Sequence, residues 1–206
     1  MTNPQKTPIS KSKRINVSKV MKRRGFLKTT LAAFPLSVAV AQLPDAQRKP
    51  FYVGSGGDRR HEHAKLGGST PNDCKVSATD TDGALCVFEF GPTSELGGPP
   101  RHLHYSQDEW FYVLEGEFEL EVGDEKFRLK AGDSAFAPRR FPHAWAKVGN
   151  RPGRMLCAYQ PAGTMEEFWR QIGKLNELSS PEQLEKLFSD HGMKISGPPP
   201  LSPGPK

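Results

Sequence analysis

Three histidines and one glutamate stand at spacings that bring their side chains together if the chain forms neighbouring strands. His102 and His104 are two residues apart, so on a β-strand both imidazoles project from the same face. Glu109 heads the next apolar stretch, and His143 follows a turn-rich stretch, residues 132–142. Three imidazoles and a carboxylate suit a divalent first-row metal ion that keeps open positions for substrate or water. The set contains no thiolate, which argues against a structural zinc site.

Short strands are the elements that must position these side chains. From residue 83 to 161 the pattern has a period of two, clearest where 117–122 alternates acidic and apolar residues. A turn at Gly123 and Asp124 and a second alternating run at 126–130 then predict a β-hairpin. Three further short strands are predicted, at 134–137, 143–148 and 154–160. Many short strands with no helix among them favour an antiparallel sandwich or barrel.

Two helices are predicted after the strands, within residues 163–192. Thr164 and Glu167 have the spacing of a capping box at the start of the first helix. Ser180 is the expected N-cap of the second, with Pro181 at its first position.

The two ends of the mature chain are predicted to lie outside the strand-rich region. Residues 42–79 are polar and rich in glycine and proline, and are expected to form an N-terminal arm with one strand at 51–53. Residues 193–206 are rich in proline and are expected to form a disordered tail.

The spacing around the first three candidate ligands resembles the first motif of the cupin superfamily, G-x5-H-x-H-x(3,4)-E-x6-G. His102, His104, Glu109 and Gly116 keep the internal spacing of that motif, although Gly97 stands one residue too close to His102.

The fourth ligand lies in a stretch that resembles the second cupin motif, G-x5-P-x-G-x2-H-x3-N. Gly132, Pro138 and His143 hold their spacing, while Arg140 replaces the glycine and Lys147 the asparagine. Neither departure touches a ligand.

The resemblance covers residues 80–162 and implies an all-β fold, the cupin double-stranded β-helix or jelly-roll barrel, with one or two C-terminal α-helices. It also implies that the metal lies inside the barrel and that four residues bind it, His102, His104, Glu109 and His143. The ion is expected to be manganese, iron, nickel, copper or zinc, and the sequence does not choose among them. A homodimer stays open as an assembly.

Apolar side chains are expected to form a substrate pocket beside the metal. Strand alternation places three of them on the ligand face, namely Phe111, Val113 and Trp145. Met155 or Leu156, together with Phe168 and Trp169 of the first helix, are expected to close the mouth. The alternative is that these side chains simply fill a narrow barrel.

The resemblance extends to single-barrel, quercetinase-like dioxygenases with a three-histidine, one-glutamate site. It implies an oxygen-using enzyme that acts on a small flavonoid-like, phenolic or enol substrate. Glu109 would be the catalytic base, with its pKa raised by apolar surroundings. A non-catalytic periplasmic binding protein and a metal-dependent isomerase or lyase stay open as alternatives.

The positive charge of the chain is concentrated in one segment. The formal net charge is +6, but residues 1–41 hold nine Lys or Arg and no Asp or Glu, which leaves 20 basic and 23 acidic residues elsewhere. The net charge of the remainder is therefore −3, and we expect no nucleic-acid partner.

This segment resembles a twin-arginine export signal. Arg23 and Arg24 precede Phe-Leu-Lys, a weakly apolar run at 29–41 and a small-x-small cleavage pattern at 39–41. The resemblance implies passage through the twin-arginine machinery, a periplasmic or secreted protein beginning near Gln42, and translation starting at Met21. The apolar run is too short for a stable membrane anchor.

The cysteine content does not predict a disulfide framework. Cys74, Cys86 and Cys157 are few and odd in number. The last two lie in apolar runs where buried free thiols are expected, and a single disulfide stays open.

Overall fold

The structure, a computed structural model, describes residues 49–66, 69–175 and 180–200. Two antiparallel sheets form the body of the described chain. In spatial order, the six-stranded sheet contains β1 (Ala64–Leu66), β2 (Thr70–Val76), β3 (Cys86–Thr93), β10 (Gly153–Gln160), β5 (Asp108–Glu115) and β8 (Ser134–Ala137). The five-stranded sheet contains β11 (Met193–Gly197), β4 (Arg101–His104), β9 (His143–Val148), β6 (Glu117–Val122) and β7 (Glu125–Lys130). Helices α1 (Met165–Ile172) and α2 (Pro181–Asp190) follow β10.

This arrangement is the predicted double-stranded β-helix with two C-terminal helices. The buried apolar residues of both sheets face one another and form one core. None of the helices in the described ranges is long and apolar enough to cross a membrane. The predicted signal segment, residues 1–41, lies outside the described residues.

The hairpin of β6 and β7 shows why the period-two pattern was informative. Phe118, Leu120 and Val122 are buried, while the glutamates between them lie on the outer face. Val122 pairs with Glu125 across a two-residue turn in which Gly123 has a φ of 59°, a conformation that glycine adopts without a Cβ clash.

The predicted N-terminal arm, residues 42–79, instead contributes two strands to the barrel. The strand expected at 51–53 is absent, and Phe51 and Tyr52 are exposed. Strand β2 was missed because its sequence is polar and contains a proline. Its polar residues find partners only in the fold, as when Thr70 and Thr93 form a buried hydrogen bond of 2.9 Å.

The expected disordered tail, residues 193–206, begins with a strand. Met193–Gly197 forms β11, which pairs with β4 so that Met193 lies opposite His104. Met193 and Ile195 are the only apolar residues of this strand, too short a pattern to predict it. The barrel strands thus extend from residue 64 to 197 rather than from 80 to 162.

The capping box predicted for α1 is absent, whereas the N-cap predicted for α2 is present and forms a capping box. In α2, Ser180 Oγ accepts a hydrogen bond from the Gln183 amide, and Gln183 Oε1 accepts one from the Ser180 amide. In α1, Thr164 makes no side-chain cap. Its hydroxyl instead lies 2.8 Å from Nδ1 of His191, at the end of α2, and Glu167 bonds to Gln171.

All three cysteines are buried free thiols, including the two predicted to be so. Burial raises the pKa of the Cys74 thiol to about 12, and the charge of Glu166 acts in the same direction.

Candidate metal centre

Three strands bring the four predicted ligands together. His102 and His104 lie on β4, and His143 on β9 stands directly opposite His102 in the register. Glu109 reaches the same point from β5 in the other sheet. One ligand atom from each residue lies within 4.8 Å of the others, and all four residues are buried.

Backbone carbonyls orient two of the imidazoles. Nδ1 of His102 lies 2.8 Å from the carbonyl oxygen of Pro100, and Nδ1 of His143 lies 3.0 Å from that of Phe141. A carbonyl only accepts, so each Nδ1 carries the proton and donates it. The lone pair of each ring is then on Nε2, which is the usual arrangement for a histidine that binds a metal.

The remaining contacts fit an ion better than a hydrogen-bond network. Both ring nitrogens of His104 are buried without a hydrogen-bond partner, although Nε2 lies 3.3 Å from Glu109 Oε2. His143 Nε2 lies 2.9 Å from the same oxygen. Two ligand atoms bound at right angles, each about 2.1 Å from an ion, stand about 3.0 Å apart. These residues therefore have the spacing and donor types of a first-row divalent site.

The ionisation of the site also suits a metal. Burial, together with the neighbouring histidines, lowers the pKa of His102 to about 3, so the ring is neutral. Burial alone would raise the pKa of Glu109, but the imidazoles of His104 and His143 outweigh it and hold this pKa below its usual range. The expectation that apolar surroundings raise the pKa of Glu109 is therefore wrong, because imidazoles contact the carboxylate.

A cavity of about 230 Å³ opens beside the cluster. Its wall includes His102, Glu109 and the predicted pocket residue Trp145. Phe111 and Val113 do not line it, and both are completely buried. Strand alternation predicts the face correctly but not the depth, because each two-residue step along β5 moves about 6.8 Å away from Glu109. At that depth the side chains fill the barrel.

Helices α1 and α2 form the roof of this cavity. Phe168 and Trp169, expected at the mouth, are in the wall, whereas Met155 and Leu156 are not. The ring of Phe188 in α2 packs 5.2 Å from that of His102, measured between centroids. Nothing in the sequence linked this second helix to the ligands, since the contact depends on how the helix folds back.

Tyr159 is a site residue that the sequence reasoning missed. It lies on β10 directly opposite Glu109, is 1% exposed and lines the cavity. Burial and the negative charge of Glu109 raise the pKa of its hydroxyl well above the usual value. The period-two pattern of β10 could have indicated it, as a polar group on the inward face.

Comparison with known proteins agrees with this description. Residues 91–159 match the family model of the cupin domain. The chain is 36% identical over 66 residues to an uncharacterised protein of Methanocaldococcus jannaschii, covering 32% of this chain and 53% of that protein. It thus spans about half the length of that relative.

Two further similarities involve proteins called a dioxygenase and a cupin. Quercetin 2,3-dioxygenase of Bacillus subtilis is 31% identical over 74 residues, which are 36% of this chain and 21% of that enzyme. The solved structure of an RmlC-like cupin from Shewanella frigidimarina is 23% identical, with a TM-score of 0.44 over 56% of this chain and 95% of that one. Residues 91–159 are therefore similar to a cupin domain, within a chain whose described strands form a double-stranded β-helix.

Proposed function

We propose that this protein is a metal-dependent oxidoreductase of the dioxygenase type, acting on a small phenolic, enol or flavonoid-like substrate. The observation that carries the proposal is a buried three-histidine, one-glutamate cluster that opens on an aromatic cavity. The similarity to quercetin 2,3-dioxygenase supports the reaction class.

In this proposal the chain has three tasks. The Nε2 atoms of the three histidines and the Glu109 carboxylate hold the ion. When bound, a redox-active first-row ion supplies a Lewis acid for a substrate oxygen and a path for electrons to dioxygen. The aromatic wall orients the substrate and excludes water.

Glu109 has two roles that compete. Its lowered pKa makes the carboxylate a good anionic ligand but a weak base. We propose that it accepts the proton of the substrate hydroxyl at a carboxylate oxygen, and that Tyr159, which lies directly opposite Glu109 on β10, sets the orientation of this carboxylate.

Oxygen uptake is the decisive measurement. Protein loaded separately with manganese, iron, nickel, copper or zinc is offered a panel of flavonols, phenols and enols in an oxygen electrode cell. We expect at least one ion and substrate pair to consume oxygen in proportion to substrate loss, and His143→Ala to abolish both activity and bound metal. Product formed without oxygen would instead indicate an isomerase or lyase. Binding without product would indicate a non-catalytic binding protein.

We also propose that the protein is exported by the twin-arginine route. Changing Arg23 and Arg24 together to lysine should retain the protein in the cytoplasm, whereas changing the adjacent pair Arg48 and Lys49 to glutamine should not. Mass spectrometry of the exported protein should find an N-terminus near Gln42. A mature N-terminus well upstream would contradict the cleavage site.

The export route bears on which ion is bound. The twin-arginine machinery carries folded proteins, so the site would be filled in the cytoplasm. Rerouting the protein through the general secretory pathway should then change its metal content, because copper and zinc bind such sites more tightly than manganese or iron. Equal metal content from both routes would contradict this idea.

A further inference from the structure

We propose that the cavity accepts ligands that are uncharged beyond the group that meets the metal, and that it discriminates against organic acids with an anionic far end. The inference rests on the proposed function for the metal-bound end and concerns the rest of the ligand.

Within the part of the chain that the structure describes, the cavity wall has no cationic side chain to pair with an anion. Among the described residues that line it, none is lysine or arginine, and the two carboxylates are Glu95 and Glu109. The internal segments 67–68 and 176–179, which lie outside the description, also contain no lysine or arginine in their sequence.

Two basic side chains on β4 and β9, close in the chain to wall-forming residues, are engaged elsewhere. Arg101, next to Pro100, donates to the carboxylate of Glu121 and the carbonyl of Gly123. Lys147 is buried, and its Nζ donates to the carbonyl of Gly149 at 2.9 Å. Neither is part of the cavity wall, so neither neutralises a ligand.

Most of the side chains in the cavity wall are apolar. Aromatic side chains form much of it, namely Phe90, Trp145, Phe168, Trp169 and Phe188. The hydroxyl of Thr70, also in the wall, is shared with Thr93. The wall also contains the buried Nε1–H of Trp169, which has no hydrogen-bond partner among the described residues and can donate to a neutral acceptor. Moving a carboxylate from water into such a wall without a cation is unfavourable, whereas a methyl or aryl group gains by it.

The mouth of the cavity also disfavours anionic ligands. Leu96 is 67% exposed and lines the cavity, so it marks the solvent edge. Beside it, the exposed carboxylate of Glu95 accepts hydrogen bonds from the hydroxyls of Ser69 and Thr70. These bonds keep the negative charge of Glu95 at the entrance. An anionic ligand therefore meets repulsion before it meets the apolar wall.

The volume makes a one-ring ligand the suitable probe. Pockets for drug-sized ligands measure about 300–1,000 Å³, and this cavity of about 230 Å³ is smaller. A one-ring ligand on the metal places its opposite substituent beside the cavity wall, whereas a larger member of the proposed substrate class would extend through the mouth.

The test compares three catechols that differ only at the far end of the ring. Zinc-loaded protein, which does not oxidise catechols, is titrated anaerobically by calorimetry with 4-methylcatechol, 3,4-dihydroxybenzamide and 3,4-dihydroxybenzoate. The amide controls for the electronic effect of the carboxylate on the hydroxyls. We expect both neutral ligands to bind at least tenfold more tightly than the carboxylate.

Leu96→Lys supplies the missing cation at an exposed position, with Leu96→Gln as the matched control. Leu96→Lys should reduce the ratio of the affinities for the amide and the carboxylate severalfold, and Leu96→Gln should leave this ratio unchanged. Equal or tighter binding of the carboxylate by the original protein, or no binding of any of the three, would overturn the inference. Because the readout is heat without turnover, the absence of oxygen uptake would count only against the proposed function.

Discussion

His104 is the ligand that depends most on the ion. The rings of His102 and His143 are each anchored by a backbone carbonyl, whereas both nitrogens of His104 are buried without a hydrogen-bond partner. An unsatisfied buried polar atom costs about 1–3 kcal/mol, so the bound metal should contribute to stability at this position.

Metal removal should therefore destabilise the protein, and only when His104 is present. An ion at 100 times its dissociation constant adds about 2.7 kcal/mol to the free energy of unfolding. We expect His104→Ala to lose this gain, while His61→Ala, an exposed histidine outside the cluster, should keep it. Thermal unfolding with and without chelator measures the effect, and an equal metal response in both variants would contradict it.

Tyr159 should set the metal affinity through Glu109. Loss of a partner that orients a ligand typically lowers metal affinity about 10–100-fold, which we expect for Tyr159→Phe. Tyr112→Phe is the control, since Tyr112 lies half-buried on the neighbouring strand and does not line the cavity. Competition titration against a chelator reports the affinity, and unchanged affinity in Tyr159→Phe would remove its positioning role.

Arg140 occupies a backbone conformation that suits glycine. Its φ is 68°, and its amide donates to the carbonyl of His104 at 2.7 Å, which ties the turn before β9 to the ligand strand. The motif comparison placed arginine where glycine is usual, and the structure shows that the backbone still has the glycine-like conformation.

Arg140→Gly should therefore stabilise the protein by about 0.5–1 kcal/mol, because a side chain in the left-handed region is unfavourable. Arg139→Gly should instead lower the free energy of unfolding, since the Arg139 side chain donates two hydrogen bonds to the carboxylate of Asp108. Urea denaturation measures both, and a loss of stability in Arg140→Gly would show that its side-chain contacts outweigh the backbone term.

At the scale of elements, the α2 cap is a local feature that affects the roof of the site. Ser180→Ala removes one half of the capping box and should lower the free energy of unfolding by about 1 kcal/mol. Ser189→Ala, at an exposed position inside the helix, should have little effect. Chemical denaturation measures the free energy of unfolding of both variants. Equal values for Ser180→Ala and Ser189→Ala would mean that the cap does not contribute to stability.

Elements with local signals were predictable, and elements that depend on distant partners were not. The hairpin of β6 and β7 and the cap of α2 are encoded within a few residues, so pattern and spacing suffice. Strands β2 and β11 are polar or short and form only because β3 and β4 present free edges. Thr164 is the N-cap residue of α1, but its predicted capping box is absent for the same reason, since its hydroxyl is hydrogen-bonded to His191.

The candidate site also combines features that the sequence predicts with features that depend on the folded barrel. Ligand identity follows from the i, i+2 spacing and from the motif, both of which are readable in the sequence. The depth of Phe111 and Val113, the opposite placement of Tyr159 and the approach of Phe188 depend on barrel geometry. The direction of the pKa shift of Glu109 was missed because it depends on imidazoles from another strand.

At the scale of the whole molecule, stability in the absence of metal should decline as the pH falls. Burial lowers the pKa of His102 to about 3, against about 6.5 for an unfolded histidine. Between these values the unfolded chain binds the extra proton and the folded chain does not, so the free energy of unfolding decreases as the pH drops from about 6.5 towards 3. Glu109, whose pKa is also lowered, adds to the loss below about pH 4.

His102→Gln should flatten this dependence between pH 6.5 and 4.5, where the carboxylates contribute less. Exposed His61→Gln is the matched control and should leave the slope as it is. Urea midpoints across this range provide the measurement, and an unchanged slope in His102→Gln would contradict the assignment.

The pairing of β11 with β4 makes the candidate ligand strand depend on a distant part of the chain. The strand that carries His102 and His104 receives its second neighbour from residues 193–197. Until these residues are in place, one edge of that strand stays unpaired. A truncated variant that lacks residues 193–197 should therefore bind metal poorly, although it contains all four candidate ligands.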